Sequence, residues 1–165
     1  MSEQLPAVNY GTLNQQLAAM LANESDALAN SANFVGLLFS EIPDHNWLGI
    51  YVLRSDELVL GPYQGRPACV RISLGRGVCG TAAEKRETLR VADVHDFADH
   101  IVCDAASKSE IVVPLIVGGQ LLGVLDVDSP SASRFTETDQ QGIEGLCNTF
   151  TAALEKSELR LPEFI

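Results

Sequence analysis

Apolar residues recur at helical spacing near both ends of the chain. Residues 10–41 carry two apolar stripes, and the polar cluster at 23–26 marks either a break or the N-cap of a second helix. Towards the other end, Thr136 or Thr138 caps an amphipathic helix that we expect to run to about Lys156. The pattern therefore predicts that helices begin and end the fold.

Between these helices, short apolar runs alternate with turn residues, which is typical of strands. Residues 47–53 and 57–62 predict one hairpin, and residues 111–117 and 120–127 predict another around a Gly-Gly turn. The shorter predicted elements are a strand at 70–73, a helix at 78–85 and a strand at 89–91.

The order of these elements predicts an α+β fold, with an antiparallel sheet of about six strands and the N- and C-terminal helices packed on one face. Residues 1–165 are interpreted as a single domain in which residues 1–9 form a flexible N-terminus. Residues 92–110 predict a long polar loop, and a loop of this length inside a compact domain is usually functional or mobile.

Charge and hydropathy narrow the function classes. The formal net charge of −11 argues against nucleic acids and anionic membrane surfaces, because phosphate binding needs clustered Lys and Arg. No apolar run approaches the roughly 18 residues of a transmembrane helix, and the N-terminus lacks the basic start and apolar run of a signal peptide. We therefore expect a cytoplasmic protein that binds neither nucleic acid nor membrane.

The four cysteines supply the candidate chemistry. Cys69 and Cys103 lie outside the apolar periodic segments, in polar stretches where an accessible thiolate can act as a nucleophile or redox group. Cys79 lies at the start of the short helix, where the helix dipole would favour a thiolate, and a small residue packed in a tight turn is an equal alternative. Cys147 lies in the last helix and is predicted to be a buried core residue.

The cysteine spacing does not predict a metal site, since the four residues form no paired C-x-x-C knuckles. Stable structural disulfides are rare in the cytosol, so a transient catalytic disulfide is the better interpretation of at least one cysteine pair. The polar loop also carries two histidines among its acids, but their spacing matches no established ligand set and predicts a solvated acidic loop.

Two sets of motifs connect the chain to known families. The first set is Val112, Pro114, Leu115, Gly119, the run 122–126, Phe135 and Asp139. Followed by a terminal helix, it resembles a GAF domain, a fold that is usually a regulatory ligand-binding module. The second set lies at 47–51, 61–65, 68–72, 75–80, 100–104, 107–111 and 125–129. These segments resemble the free-methionine-(R)-sulfoxide reductases, a family of stand-alone GAF domains with three cysteines at this spacing.

The narrower resemblance implies reduction of free L-methionine-(R)-sulfoxide to L-methionine. Cys103 would attack the sulfoxide sulfur and become a sulfenic acid. Cys69 would resolve it by closing a disulfide, for which the two Cα atoms must approach within roughly 7 Å. In the resemblance, Cys79 is an auxiliary thiol. A thioredoxin-like reductant linked to NADPH would regenerate the dithiol, and no bound cofactor or metal is implied.

Three carboxyl groups complete the predicted site. Asp126 and Asp128 alternate along a strand and so point to one face, where two acids are costly unless they are solvated or paired. A bound α-ammonium would pair them, and two carboxylates this close would share a proton, whereas the alternative is a solvated strand end. Glu110 and Asp128 are predicted to polarise the sulfoxide oxygen, with Asp126 binding the ammonium or supporting them.

Two aromatic residues, Trp47 and Tyr51, share a face of the first predicted strand. They are either core residues or an aromatic wall for the S-methyl group of the substrate, since sulfur contacts aromatic rings favourably.

Two other function classes stay open at this stage. A non-enzymatic GAF sensor for a small molecule or for redox state would tolerate Cys103→Ser in ligand binding and show no turnover, whereas the enzyme would lose its activity. A structural module would dimerise through the amphipathic terminal helices, which are also compatible with a homodimeric enzyme.

Overall fold

A computed structural model describes residues 6–157, in which six strands form one antiparallel sheet. The elements are α1 (Tyr10–Leu21), α2 (Ala27–Glu41), β1 (Trp47–Arg54), β2 (Glu57–Gln64), β3 (Arg71–Ser73), α3 (Gly77–Lys85), β4 (Leu89–Val91), a 3₁₀ turn (Val94–Asp96), β5 (Ser109–Val117), β6 (Gln120–Ser129) and α4 (Glu137–Glu155). The spatial order of the strands is β3-β2-β1-β6-β5-β4, and neighbouring strands are antiparallel. The predicted α+β fold is confirmed.

Side-chain caps set where the helices begin. Asp26 accepts a hydrogen bond from the backbone N–H of Ala29 at 2.8 Å, so the polar cluster between the first two helices contains the N-cap of α2. Thr136, and not Thr138, caps α4 in a reciprocal capping box with Asp139. These bonds satisfy N–H groups that have no partner inside the helix, which is why the helices begin at these positions.

The helices α1, α2 and α4 cover one face of the sheet, as the sequence predicts. Phe34 of α2 stacks on Phe150 of α4 with ring centroids 4.2 Å apart, and both side chains are fully buried. Alternate residues of the central strands, such as Ile50 and Leu125, join the same apolar cluster. Cys147 is buried in this cluster, which confirms its prediction as a core cysteine.

The other face is covered by α3 and by the loop between β4 and β5. Its apolar cluster is smaller and includes Trp47, Tyr51 and Val112. The apolar pattern did not predict that α3 and this loop pack on the second face, because α3 is short and its position over the sheet depends on the path of the chain. Strand β1 agrees with a sheet that is covered on both faces, because its residues 47–52 are buried without alternation.

Several strand boundaries differ from the prediction by one or two residues, and those of β5 and β2 have a clear physical reason. β5 begins at Ser109, so Glu110 lies within a strand opposite Asp128 and not at the end of the polar loop. Ser109 and Glu110 continue the pairing of β5 with β6, and because they are polar, a pattern of apolar residues cannot indicate this. β2 continues through Pro62 to Gln64, because β3 pairs only with residues 57–59 and leaves the later part of β2 at an edge of the sheet.

Residues 1–5 and 158–165 lie outside the described part of the chain. The predicted flexibility of residues 1–9 and the predicted extension of one domain over residues 1–165 therefore stay predictions. None of the helices within residues 6–157 is both long and apolar enough to cross a membrane.

Candidate active site

A pocket opens on the α3 side of the sheet. Strands β1, β5 and β6 form its floor, the first turn of α3 forms a wall, and the loop before β5 covers it. The predicted site residues that line it are Trp47, Tyr51, Cys79, Cys103, Glu110, Asp126 and Asp128. With the covering loop in this position, about 40 Å³ remains for solvent-sized molecules, which is room for a few waters.

A disulfide joins Cys69 to Cys103. Cys69 lies between β2 and β3, and Cys103 lies between β4 and β5, so the bond ties two loops together at the pocket. The Cα atoms are 5.5 Å apart, within the distance that direct resolution requires. The structure thus confirms that these two thiols can pair, while their order of action in catalysis stays a prediction.

Tyr51 contributes to the site through the backbone of a cysteine. Its hydroxyl donates a hydrogen bond to the carbonyl oxygen of Cys69 at 2.9 Å. Burial, followed by the negative charges of Asp126 and the Cys79 thiolate form, raises the pKa of Tyr51, so the phenol stays protonated and remains a donor. Tyr51 is fully buried and lines the pocket, so its core position is confirmed, while its contact with the S-methyl group stays a prediction.

Trp47 likewise combines a core position with a place in the pocket. Its side chain is buried, stacks on Tyr63 with centroids 5.4 Å apart, and donates from Nε1 to the carbonyl oxygen of Arg66 at 3.0 Å. Gly49 makes room for the ring, because a Cβ at that position would lie 2.6 Å from it. The indole is therefore held rigidly as one wall of the pocket.

The three predicted acids lie together on the pocket floor. Strand pairing places Glu110 opposite Asp128, and Asp126 lies two pairs away on β6, opposite Val112. Because side chains two residues apart point to the same face, all three carboxyl groups face α3. Glu110 and Asp126 are each only 6% exposed. The acids therefore share one poorly solvated environment.

This environment favours the protonated forms. Burial is the main cause and the neighbouring acids add to it, so the pKa of Glu110 and of Asp128 is well above the usual range of a carboxyl. Burial also raises the pKa of Asp126, but only to about 6, because the neighbouring thiol of Cys79 and carboxyl of Glu110 can act as donors that favour its charged form. At neutral pH Asp126 is thus the acid that carries the negative charge, and the other two are hydrogen-bond donors.

One oxygen of Asp126 has no partner. Its Oδ1 is buried and, within residues 6–157, accepts no hydrogen bond. A buried acceptor left unsatisfied costs about 1–3 kcal/mol, and more when the group is charged. A cationic donor placed in the pocket would satisfy this oxygen.

The prediction that the helix dipole favours a Cys79 thiolate is wrong. Cys79 is buried in the first turn of α3, and its Sγ lies 3.8 Å from Oε1 of Glu110. Burial, Asp126 and Glu110, in that order, raise the pKa of the thiol well above its ordinary value. Desolvation and two nearby carboxyls outweigh the dipole, so Cys79 is a neutral thiol in this form of the protein.

The comparisons with known proteins agree with this arrangement. A model of the GAF domain matches residues 14–154. The free methionine-R-sulfoxide reductase of Escherichia coli K12 is 52% identical over 147 residues, which cover 89% of this chain and 87% of that protein. The solved structure of fRMsr of Staphylococcus aureus in complex with substrate matches with a TM-score of 0.87 at 43% identity, covering 92% of this chain and 99% of that one.

A structure of the free methionine-R-sulfoxide reductase of Neisseria meningitidis in complex with its substrate also matches. Its TM-score is 0.87 at 41% identity, and the match covers 93% of this chain and 95% of that one. This chain belongs to the free-methionine-(R)-sulfoxide reductase family. The resemblance and the GAF-like fold inferred from the sequence are both confirmed.

In this member of the reductase family, Asn46 holds the segment that follows Cys103, a contact that the sequence analysis missed. Its Nδ2 donates to Oδ2 of Asp104 at 3.2 Å and to Oγ of Ser107 at 3.1 Å. Its backbone N–H donates to the carbonyl oxygen of Asp128 at 3.0 Å. Asn46 therefore links the pocket floor to the loop that carries Cys103, and only its place next to Trp47 could have drawn attention to it.

The N-terminus of α3 has a second property, suitability for an anion, that the sequence analysis did not draw from the helix start. Gly77, Val78 and Cys79 line the pocket, and the N-cap Arg76 gives this end of the helix no side-chain hydrogen bond. The first N–H groups of a helix have no acceptor inside it and carry a partial positive charge. Arg76 also lines the pocket, and its Nε lies 2.6 Å from Oδ2 of Asp99 in the covering loop. This side of the pocket thus suits an anion, opposite the acids.

Proposed function

We propose that this chain reduces free L-methionine-(R)-sulfoxide to L-methionine. The observation that carries the proposal is the position of Cys103, which lines a pocket with three acids on its floor and is disulfide-bonded to Cys69. The relatives named above are free methionine-R-sulfoxide reductases, which supports the same reaction here.

The pocket offers complementary partners for a free amino acid. Asp126, with its unpartnered buried oxygen, would bind the α-ammonium group. The N–H groups at the start of α3 would bind the α-carboxylate, as helix N-termini bind anions. Trp47 would contact the S-methyl group. In a peptide the α-nitrogen is an uncharged amide, so this pose favours the free amino acid over a methionine sulfoxide residue in a protein.

The chemical step uses the protonated acids as donors. Glu110 and Asp128 would donate hydrogen bonds to the sulfoxide oxygen, which makes the sulfur more electrophilic. The Cys103 thiolate would then attack that sulfur. The S–O bond of the substrate breaks, the oxygen moves to Cys103 and takes a proton from Glu110 or Asp128 to give a sulfenic acid, and methionine leaves as the thioether.

Recycling restores the thiol. Cys69 would attack the sulfenic acid of Cys103, forming the disulfide and releasing the oxygen as water, for which the 5.5 Å between their Cα atoms is suitable. A thioredoxin-type dithiol, itself reduced at the expense of NADPH, would supply two electrons and two protons to reopen the disulfide. Opening it frees the loop over the pocket, which otherwise leaves room for only a few waters. We propose that the reaction and its recycling take place in the cytoplasm.

The decisive experiment follows NADPH consumption with the R and S epimers of free methionine sulfoxide, each in the presence of thioredoxin and thioredoxin reductase. We expect turnover with the R epimer alone and complete loss of turnover in Cys103→Ser. Cys147→Ala should keep near-normal turnover, because Cys147 is buried on the face of the sheet opposite the pocket. Turnover with neither epimer contradicts the proposal. Binding of the R epimer without turnover would indicate the GAF sensor instead.

The same assay separates the reaction from its reductant. If dithiothreitol supports turnover and thioredoxin does not, the reaction stands and the thioredoxin proposal fails. A homodimer also belongs to the proposal, supported by Met20 and Leu28, which are 41% and 50% exposed on the two N-terminal helices. Analytical ultracentrifugation would test it, and a monomer at high concentration would contradict it.

A further inference from the structure

One thiol and two carboxyl groups converge in the pocket from three different elements. Cys79 of α3, Glu110 of β5 and Asp126 of β6 each place one ligand atom within 4.8 Å of the other two, and all three residues are buried. The catalytic scheme above gives Cys79 no step. Cys69 and Cys103 are already bonded to each other, so this cluster is formed without them.

We propose that Cys79, Glu110 and Asp126 bind a divalent cation of the zinc and cadmium class, at a site that overlaps the one for the substrate ammonium. In a tetrahedral zinc site, Zn–S bonds of about 2.3 Å and Zn–O bonds of about 2.0 Å place the sulfur and oxygen about 3.5 Å apart. The Cys79 Sγ to Glu110 Oε1 distance is 3.8 Å. A small movement of the two side chains therefore completes this edge of a metal site.

The unpartnered oxygen of Asp126 is an independent indication. Oδ1 of this side chain is buried without a hydrogen bond from any residue in the described part of the chain, and Asp126 as a whole is 6% exposed. Its nearest polar neighbours include the same thiol and carboxyl that would act as the other ligands. A cation between the three groups would satisfy this oxygen directly.

The donor set selects the kind of ion. Magnesium and calcium prefer sites made of oxygen atoms, whereas a thiolate favours zinc and its softer relatives. Binding requires the thiol and the two carboxyls to be deprotonated, and the protons pass to solvent as the ion enters. The affinity should therefore increase with pH.

Three protein ligands leave one coordination position of a tetrahedral ion towards the pocket. The ion and the substrate ammonium would both use Asp126, so they exclude one another. The ion-binding site itself rests only on the geometry of the three side chains. The competition with substrate rests in addition on the proposed function.

The test uses the disulfide form of the full chain, without any methionine sulfoxide. In this form the only thiols are Cys79 and Cys147, both of them buried. We would titrate it with cadmium chloride and follow the thiolate-to-cadmium charge-transfer absorbance, with isothermal calorimetry for the stoichiometry. We expect one ion per chain with a thiolate band, and no heat of binding with magnesium chloride. Absence of the band in the wild type overturns the proposal.

Matched variants assign the ligands. Cys79→Ser should abolish the band, and Cys147→Ala should leave it unchanged, because Cys147 lies in the core on the other face of the sheet. Asp126→Asn should keep the thiol but weaken cadmium binding by about tenfold or more, since loss of even an outer partner costs 10–100-fold. Near-ultraviolet circular dichroism confirms that each variant is folded.

A band that survives in Cys79→Ser, or that disappears in Cys147→Ala, overturns the assignment. If Cys79→Ser does not fold, an unchanged cadmium affinity in Asp126→Asn overturns the assignment instead. Because none of these measurements involves turnover, their failure leaves the reductase proposal intact, and the failure of the reductase assay leaves the ion site intact.

Discussion

Two buried aspartates, at opposite sides of the molecule, show how differently this fold treats a carboxylate. Asp139, at the start of α4, accepts hydrogen bonds from Tyr10, Arg134 and Thr136 at 2.7, 3.0 and 2.9 Å. Asp126, on the pocket floor, has one oxygen with no partner among residues 6–157. The two side chains are similarly buried, at 8% and 6% exposure, so burial alone does not separate them.

The pKa values shift in opposite directions. Burial raises the pKa of Asp139, but the hydrogen bonds from Thr136 and Tyr10 outweigh it and the net pKa is lowered. Burial raises the pKa of Asp126 to about 6, and no cation is beside it to reverse the shift. A satisfied carboxylate stabilises the fold, whereas an unsatisfied one destabilises it and is ready for a ligand. The structural acid and the site acid can therefore be told apart.

Asp139→Asn should have the largest effect on stability. It removes the nearer anionic partner of Arg134, whose side chain is only 8% exposed, and breaking a buried ion pair in this way costs about 3–5 kcal/mol. The second anionic partner, Asp44, stays 4.0 Å from Arg134. Arg134 still donates to the carbonyl oxygen of Pro43, so we expect the lower end of that range. Urea unfolding measures it, and kcat at low temperature should be unchanged. A variant as stable as the wild type would show that the pair contributes nothing.

Asp126→Asn should give the converse result. The variant loses the charge that would pair with the substrate ammonium, a loss worth about 2–4 kcal/mol for a desolvated pair, or roughly 30–1000-fold in KM. Its free energy of unfolding at neutral pH should not fall, because an unsatisfied charge is removed from the interior. Steady-state kinetics and urea unfolding of one preparation measure both. A normal KM combined with a large loss of stability would reverse the assignment of Asp126.

The two aspartates should also affect the pH dependence of stability in opposite ways. The pKa of Asp126 is raised from 3.8 to about 6, so the folded state holds the proton more tightly than the unfolded state. Its contribution is fully present below pH 4 and is lost as the pH rises to about 6, at about 1.4 kcal/mol per pKa unit, or on the order of 3 kcal/mol. Asp139, with a lowered pKa, loses its contribution only as the pH falls below this window.

Urea unfolding at intervals between pH 4 and pH 7 checks this. The difference in unfolding free energy between the wild type and Asp126→Asn should shift in favour of the variant as the pH rises through that window. Asp139→Asn is the control, since its difference from the wild type should stay constant there. A difference between wild type and Asp126→Asn that does not change with pH would mean that the pKa of Asp126 is ordinary in the folded protein.

Much of this arrangement could be predicted from the sequence. Apolar periodicity predicted the hairpins and terminal helices, and the acids at 126 and 128 were placed on one face by strand alternation alone. Their neighbour Glu110 was assigned to a loop, because only the register between β5 and β6 shows that it lies opposite Asp128. Local spacing is visible in a sequence, but pairing between distant segments is not.

The protonation of Cys79 illustrates the same limit. The sequence shows a cysteine at a helix start, where the dipole favours a thiolate. What it does not show is that Glu110 and Asp126, from two other elements, converge on the same thiol and that all three are buried. The electrostatics of the site arise from tertiary contacts, so the residue types were predictable and their charges were not.

Asn46→Ala should have the smallest effect. It tests whether polar contacts hold the Cys103 loop over the pocket, as hydrogen bonds to Asp139 hold the start of α4. The variant removes two hydrogen bonds to Asp104 and Ser107, worth about 1 kcal/mol each. We expect kcat to fall by about tenfold with little change in KM, because the bonds would position Cys103 and not the substrate. Single-turnover formation of the Cys69–Cys103 disulfide, measured by quenching and thiol counting, reports this step directly.

Asn30→Ala is the control, since the amide of Asn30 also donates to another segment, to the carbonyl oxygen of Glu24 at 2.9 Å, but Asn30 lies on α2, on the opposite face of the sheet. Both variants should lose stability, and only Asn46→Ala should slow disulfide formation. Equal slowing in the two variants would mean that general loosening of the fold, and not the contact with the Cys103 loop, limits the step.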